Sequence, residues 1–217
     1  FVVPTGGSLA SAATLTHSKI DVVLATIGVL AWVACHQGDY VTVIAPSKDG
    51  PSVARPSYRD TQIEHMLAGL DAGCRLEAPD PDLVELLDLT ASGLRRRCIV
   101  VVVLDDWDPR PADVDALASL CARHEVLAIE VSDLDLTDPA LATVPTRDQA
   151  TGQPVPGFVA RDRKVREQAV AAQQERARRR GRTLDRLGII HESVADVDDS
   201  VAAIVRLLER MRHASRH

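Results

Sequence analysis

Residues 95–108, RRRCIVVVVLDDWD, contain an uninterrupted aliphatic run, mostly β-branched, that leads directly into an aspartate-rich turn. A run of this kind is typical of a central parallel strand covered on both faces, because a half-exposed strand would alternate apolar and polar residues. Parallel strands require crossover connections, which are usually helices. This stretch therefore predicts an α/β fold in which helices cover both faces of the sheet.

The rest of the chain alternates strand-like and helix-like segments, as this fold requires. The further predicted strands are Phe1–Pro4, YVTVIAP at 40–46, VLAIEVSD at 126–133, and Gly188–Ser193. The predicted helices cover about 18–37, 60–70, from 81 onward, 110–125, 161–187 and 198–212, with Asp80 as the cap of the third. A short segment at 52–56 is expected to pair antiparallel at one edge. The fold class predicted is α/β: a Rossmann-like, doubly wound, mostly parallel sheet flanked by helices.

The composition excludes some classes of protein and bounds the organisation of the chain. The formal net charge of −6 argues against general nucleic-acid binding, and the charged segment 161–182 is interpreted as a solvated helix face. Four scattered cysteines are expected to be free thiols. The apolar segment 20–35 is shorter than a membrane span and is interpreted as a buried helix. We expect one domain over residues 1–217, a fragment of a longer chain because it begins without methionine.

Two loops that follow predicted strands are the candidates for chemistry. PTGGS at 4–8 matches neither phosphate-binding glycine pattern, so it is interpreted as a flexible turn. In the second loop, Asp105-Asp106-Trp107-Asp108, the carboxylates suit a hard cation such as Mg²⁺. The competing interpretation makes Asp108 the cap of the next helix and leaves the other two aspartates solvated. A haloacid-dehalogenase-type phosphatase would have a threonine where Arg110 stands. No helical pair of histidines has the spacing of metal ligands.

Several segments, in order along the chain, resemble a bacterial family, DUF 58, whose domain is von Willebrand factor A-like. They are SKID and QGDYVTVIAP at 18–21 and 37–46, LRRRCIVVVVLDDWD at 94–108, CARHEVLAIEVSD at 121–133, and RDQATGQPV at 147–155. The resemblance implies the A-type fold over essentially the whole chain. Members of that family are often encoded beside MoxR-type AAA+ ATPases.

The resemblance also implies a metal-ion-dependent adhesion site that has degenerated. In A-type domains the first strand ends in Asp-x-Ser-x-Ser, but Pro4 and Gly6 replace the aspartate and the first serine here. Only Ser8 and Asp106 remain as residual ligands, too few for a hard cation. Arg75 stands near the family's threonine position and is hypothesised to pair with Asp106. The competing interpretation is an exposed loop arginine. No bound metal or other cofactor is expected.

The resemblance implies a non-enzymatic protein-interaction module rather than an enzyme. It would work with a MoxR-type AAA+ ATPase in assembly, maturation or chaperone-like remodelling of client proteins. It would be a cytoplasmic domain of a bacterial protein whose full-length relatives often carry membrane helices. The candidate partner-binding residues are Ser8, Arg75, Asp106 and Trp107. The alternative is a metal-dependent phosphatase or nucleotide-binding domain that uses the 105–108 loop, with Mg²⁺ as its cofactor.

Overall fold

The computed structural model describes residues 1–149 and 151–214. Its strands are β1 (Ile44–Ser47), β2 (Gly50–Val53), β3 (Ile99–Leu104), β4 (Glu125–Val131) and β5 (Ile190–Val194). Its α-helices are α1 (Gly7–Ala10), α2 (Lys19–His36), α3 (Asp60–Gly73), α4 (Leu83–Gly93), α5 (Pro111–Cys121), α6 (Phe158–Arg161), α7 (Arg163–Arg186) and α8 (Ser200–Ala214). Short 3₁₀ helices cover Pro139–Thr143 and Val197–Asp199. Ala150 of the RDQATGQPV segment and the end of the predicted 1–217 domain lie outside the described residues.

The sheet is mostly parallel, as the sequence predicts. Strands β3, β4 and β5 are parallel neighbours in that order. The N-terminal segment runs between β3 and β1, where Val2 forms parallel bridges to Val102 and to Ile44. At the far edge β1 pairs antiparallel with β2, which is the short antiparallel edge strand expected. The predicted fold class is confirmed.

Two apolar cores lie on opposite faces of the sheet, because alternate residues of β3 face opposite directions. Val101 and Val103 belong to one core, together with the inner faces of α2, α3 and α8. Val100, Val102 and Leu104 belong to the other core, with residues of α4, α5 and α7. The continuous aliphatic run of β3 is therefore needed to fill both cores at once.

Helix α2 is the long apolar helix of the first core. Ser18 caps it and forms a reciprocal capping box with Asp21. Among the described residues, one helix, α2, has the length and apolar composition needed to cross a membrane. In this structure 44% of that helix is buried. Its inner face, including Ile20, Val23 and Ile27, packs in the core. This packing agrees with its interpretation as a buried helix, but the prediction that the segment is too short to span a membrane is wrong, because α2 has 18 residues.

Several predicted boundaries require correction. Helix α4 begins at Leu83 with Asp82 as its cap, so Asp80 is not the cap. Helix α5 has Arg110 as its N-cap residue rather than Asp108. The glycine turn after the N-terminal segment contains the short helix α1, and the buried strand predicted at 40–46 is displaced to β1. These differences lie at the ends of elements, where competing caps and short strands are least constrained by pattern.

Candidate functional site

Polar side chains from four segments converge at the carboxyl edge of the sheet. Ser8 lies in α1 directly after the N-terminal segment, Asp105 follows β3, and Asp133 lies two residues after β4. Lys19 is the first residue of α2. In open α/β sheets, ligands bind outside the carboxyl ends of the strands. These four residues therefore define the candidate site, which we call the lysine centre.

The ammonium group of Lys19 is buried in the lysine centre among three side-chain oxygens. Only 1% of Lys19 is exposed, and its Nζ donates a hydrogen bond to Asp133 Oδ1. Nζ also lies 3.5 Å from Asp105 Oδ2 and 3.4 Å from Ser8 Oγ. Ser8 Oγ in turn donates a hydrogen bond to Asp105 Oδ2. A buried ammonium is costly unless opposite charges accompany it, and two carboxylates accompany this one.

The start of α2 fixes the position of Lys19. The capping box of Ser18 and Asp21 sets the first helical residue, and the Lys19 backbone N–H donates to Ser11 O at 2.8 Å. A helix N-terminus carries partial positive charge, so a lysine at the first position is unfavourable in isolation. The carboxylates of Asp105 and Asp133 offset both this repulsion and the burial of the ammonium.

The lysine centre does not fit a divalent cation while Lys19 is in place. Mg²⁺ and Ca²⁺ take six or more oxygen ligands at about 2.0–2.6 Å. Here the oxygens of Ser8, Asp105 and Asp133 surround an ammonium, and a divalent ion among them would lie beside a fixed positive charge. Within residues 1–149 and 151–214, no group of three or more His, Cys, Asp or Glu residues could hold a metal ion.

Asp106 belongs to a separate ionic network. Its carboxylate pairs with Arg180 Nη1 at 2.7 Å, and Arg180 Nε donates to Glu130 Oε2 at 3.1 Å. Glu130 Oε1 lies 2.9 Å from His191 Nδ1. Burial opposes ionisation of Glu130, but hydrogen bonds from His191 and Arg180 outweigh it and lower the pKa of Glu130. This network fastens α7 to β4 and β5.

The carboxylates of the 105–108 loop face different basic partners. Asp105 faces Lys19, and Asp106 pairs with Arg180. Asp108 lies 3.3 Å from Arg179 Nη2. Because each carboxylate has a basic partner, their negative charges are compensated one by one and do not converge on a common point.

Trp107 is held at the start of α5 by a buried carboxylate. Its Nε1 donates to Asp113 Oδ2 at 3.2 Å. Arg110 also donates to Asp113 through its backbone N–H and guanidinium, and it reaches Asp82 at 2.9 Å. Burial opposes ionisation of Asp113, but the bonds from Arg110 and Trp107 lower its pKa overall. The indole is therefore positioned rather than free to rotate.

The glycine loop, residues 4–8, packs closely against the loop that follows α3, residues 74–82. Gly7 N–H donates to Ala78 O at 3.1 Å, and Ser8 N–H donates to Asp80 Oδ1 at 2.7 Å. The second loop carries Leu76, an aliphatic side chain that is 57% exposed. The backbone of this exposed residue lies next to Gly7, the residue that precedes Ser8.

The structure brings together some of the predicted site residues and separates others. Ser8 contacts Asp105, not Asp106, so the predicted residual pair Ser8–Asp106 is wrong by one residue. The hypothesised pairing of Arg75 with Asp106 is also wrong. Arg75 is exposed and makes no ion pair with any residue that the structure describes. The partner-binding roles assigned to Ser8, Arg75, Asp106 and Trp107 stay predictions.

Sequence reasoning missed Lys19 and Asp133 as site residues. A signal for Lys19 was present, because it lies three and four residues before Val22 and Val23. That spacing places it on the buried face of α2. A signal for Asp133 was present as well, because it follows β4 as Asp105 follows β3, and parallel strands end at the same edge of the sheet. Their convergence on one lysine was not visible in any local pattern.

These features define an α/β domain whose carboxyl edge is organised by internal ion pairs. The sequence profile of the family described as "Protein of unknown function DUF58" matches residues 3–180. The chain belongs to the DUF58 family. No curated protein matches it.

Two solved structures are similar to the chain at low sequence identity. One is an aerotolerance-related membrane protein from Bacteroides fragilis NCTC 9343 with multiple mutations to serines. It has 14% identity and a TM-score of 0.48, covering 96% of each chain. The other is a von Willebrand factor type A protein from Catenulispora acidiphila. It has 15% identity and a TM-score of 0.34, covering 74% of this chain and 39% of that one.

Proposed function

We propose that this chain is a non-enzymatic protein-interaction domain whose binding face lies at the carboxyl edge of the sheet. The observation that carries the proposal is the lysine centre, where Lys19 engages Asp105, Asp133 and Ser8. We interpret these hydrogen bonds and ion pairs as structural, because carboxylates must compensate the buried Lys19 ammonium. Because these contacts hold the loops at the carboxyl edge in place, the surrounding surface residues keep fixed positions, which suits a binding surface for another protein.

The proposed binding face surrounds the lysine centre. Leu76 supplies an exposed aliphatic side chain and Arg75 an exposed guanidinium without an ion-pair partner in the described residues. Trp107 supplies a half-buried indole held by Asp113. Interfaces are enriched in aromatic residues and arginine. Asp106 and Ser8 complete the rim of this face.

The proposed partners are a MoxR-type AAA+ ATPase and client proteins. This part of the proposal rests on membership of the DUF58 family, and it places the domain on the cytoplasmic side of a protein anchored to the membrane. The expected process is protein assembly, maturation or chaperone-like remodelling. Nucleic acid is not a proposed partner, since the chain carries a formal net charge of −6.

The alternative activity, a Mg²⁺-dependent phosphatase or nucleotide-binding domain, would need Asp105, Asp106 and Asp108 to share a cation. They instead face different basic partners. The two proposals predict different results with a generic phosphate ester. The phosphatase would hydrolyse it in the presence of Mg²⁺ and lose that activity in Asp106→Asn. The interaction domain would not hydrolyse it.

The test of the interaction proposal is capture of the cognate MoxR-type ATPase by the purified chain, measured by surface plasmon resonance. Leu76→Asp places a charge on the proposed face, and we expect it to weaken binding at least about tenfold, which is about 1.4 kcal/mol. Val205→Asp is the matched control, because Val205 is an aliphatic residue of α8 that is 50% exposed. Equal binding by both variants, or no capture by the unmodified chain, would contradict the proposal.

A further inference from the structure

We propose that Ser8, Asp105 and Asp133 form a cation site whose resident cation is the Lys19 ammonium. Removing that ammonium would leave a site that binds a divalent cation such as Mn²⁺. This inference concerns the lysine centre alone and does not depend on the proposed partner.

The first argument is the convergence of oxygens on one point. Three oxygens from separate segments lie within 3.5 Å of Lys19 Nζ. Two of them are carboxylate oxygens, and the third is a hydroxyl oxygen already bonded to one of those carboxylates. Carboxylate and hydroxyl oxygens are the ligands that hard cations prefer. The geometry is therefore that of a cation site in which a nitrogen takes the place of the metal.

The second argument is charge. The two carboxylates carry two negative charges and the ammonium carries one positive charge, so the cluster retains a net negative charge with Lys19 present. Without the ammonium the two partly exposed carboxylates would lie close together with no positive charge between them, which is unfavourable. A divalent cation would neutralise both charges and relieve this repulsion.

The third argument is space. The Lys19 side chain is almost fully buried, so truncating it to alanine opens a volume equal to three methylene groups and the ammonium. Mg²⁺ and Mn²⁺ normally keep several water ligands when a protein supplies only a few oxygens. The opened volume would hold such waters, and the partly exposed carboxylates of Asp105 and Asp133 would remain within reach of solvent.

The inference explains how the native domain keeps its carboxyl edge ordered. A metal-bound edge would depend on the concentration of free cation. A lysine on the same chain is always present at this position. The conformation of the glycine loop and of the 105–108 loop is therefore independent of metal in the native protein.

The test is Mn²⁺ binding to Lys19→Ala, measured by isothermal titration calorimetry and by the shift in melting temperature. We expect Lys19→Ala to bind Mn²⁺ at least about tenfold more tightly than the unmodified chain, because one positive charge beside the ligands is gone. Its melting temperature should fall in chelator and rise again with Mn²⁺. The control Lys48→Ala, at an exposed turn, should bind Mn²⁺ no better than the unmodified chain.

A second variant separates binding at the lysine centre from adventitious binding elsewhere. Lys19→Ala combined with Asp133→Asn removes one ligand carboxylate, and the gained Mn²⁺ affinity should be lost. If Lys19→Ala does not fold in chelator, the same titration is made on Lys19→Ser, which opens a similar volume without the charge and leaves a hydroxyl that can donate to a carboxylate. Folded Lys19 variants that bind Mn²⁺ no more tightly than the unmodified chain would overturn the inference. Affinity that survives Asp133→Asn would overturn it as well.

Discussion

At the scale of single residues, two buried charges of opposite sign are each compensated by two groups of the other sign. The Lys19 ammonium lies between carboxylates from the ends of β3 and β4. The Glu130 carboxylate lies between Arg180 of α7 and His191 of β5. Removing one member of such a cluster leaves an uncompensated buried charge. The free energy lost in this way is larger than the net stabilisation that the intact ion pair provides.

His191 makes the second of these clusters sensitive to pH. The hydrogen bond to Glu130 raises the pKa of His191, against the opposing effect of burial, and Asp185 adds to the rise. A group whose pKa is raised on folding stabilises the protein fully below its unfolded pKa, about 6.5 for histidine. That contribution is lost as the pH rises through the folded pKa. The pKa of Glu130 is lowered, so its carboxylate stays ionised across this window.

We therefore expect the free energy of unfolding lost in His191→Gln to be largest below about pH 6.5 and to shrink as the pH rises through the raised pKa of His191. Urea unfolding of the two proteins at a series of pH values measures this difference. His65→Gln serves as the control, since His65 is an exposed residue of α3. A difference that is constant with pH, or that grows as the pH rises, would contradict the assignment of a protonated His191 paired with Glu130.

At the scale of elements, the candidate site depends on the close packing of two loops. The glycine loop lies against the backbone of the loop after α3, so a side chain has no room between them. A Cβ built on Gly7 would lie 2.8 Å from Ala78 O and 2.9 Å from Leu76 O, and it would collide with the Gln149 side chain. Glycine is required here by the approach of neighbouring backbone.

Gly7→Ala should therefore destabilise the protein by about 2 kcal/mol, because backbone atoms must move to admit the new methyl group. Gly69→Ala is the matched control, since Gly69 lies in α3 with nothing within 4 Å of its added Cβ. That control should be neutral or stabilising by up to about 1 kcal/mol through helix propensity. Thermal unfolding of both variants measures the contrast, and equal melting temperatures would show that the two loops are not packed as described.

At the scale of the whole molecule, the fold could be predicted because its signals are local. The aliphatic run of β3 fills two cores, and one stretch of sequence is enough to reveal a strand buried on both faces. The ends of helices were less predictable, because Asp80 and Asp82 both suit a helix cap and only tertiary contacts distinguish them. Asp80 accepts a bond from Ser8 instead.

The lysine centre could be predicted only in part. Its carboxylates follow parallel strands, and the sequence is enough to predict that placement. The ammonium comes from a residue 86 positions from Asp105 and 114 positions from Asp133. No periodicity or spacing rule connects residues at such separations. Whether Lys19 or Arg75 is the cation that compensates the carboxylates therefore depends on how the elements pack.

The most direct test of the central claim, that an internal lysine takes the cation position, is anomalous diffraction from Mn²⁺-soaked crystals of the unmodified protein. The claim predicts Lys19 Nζ bonded among Ser8, Asp105 and Asp133, with no anomalous peak at the lysine centre. A strong anomalous peak within about 2.5 Å of the Ser8 and Asp105 side-chain oxygens, with Lys19 displaced, would contradict it.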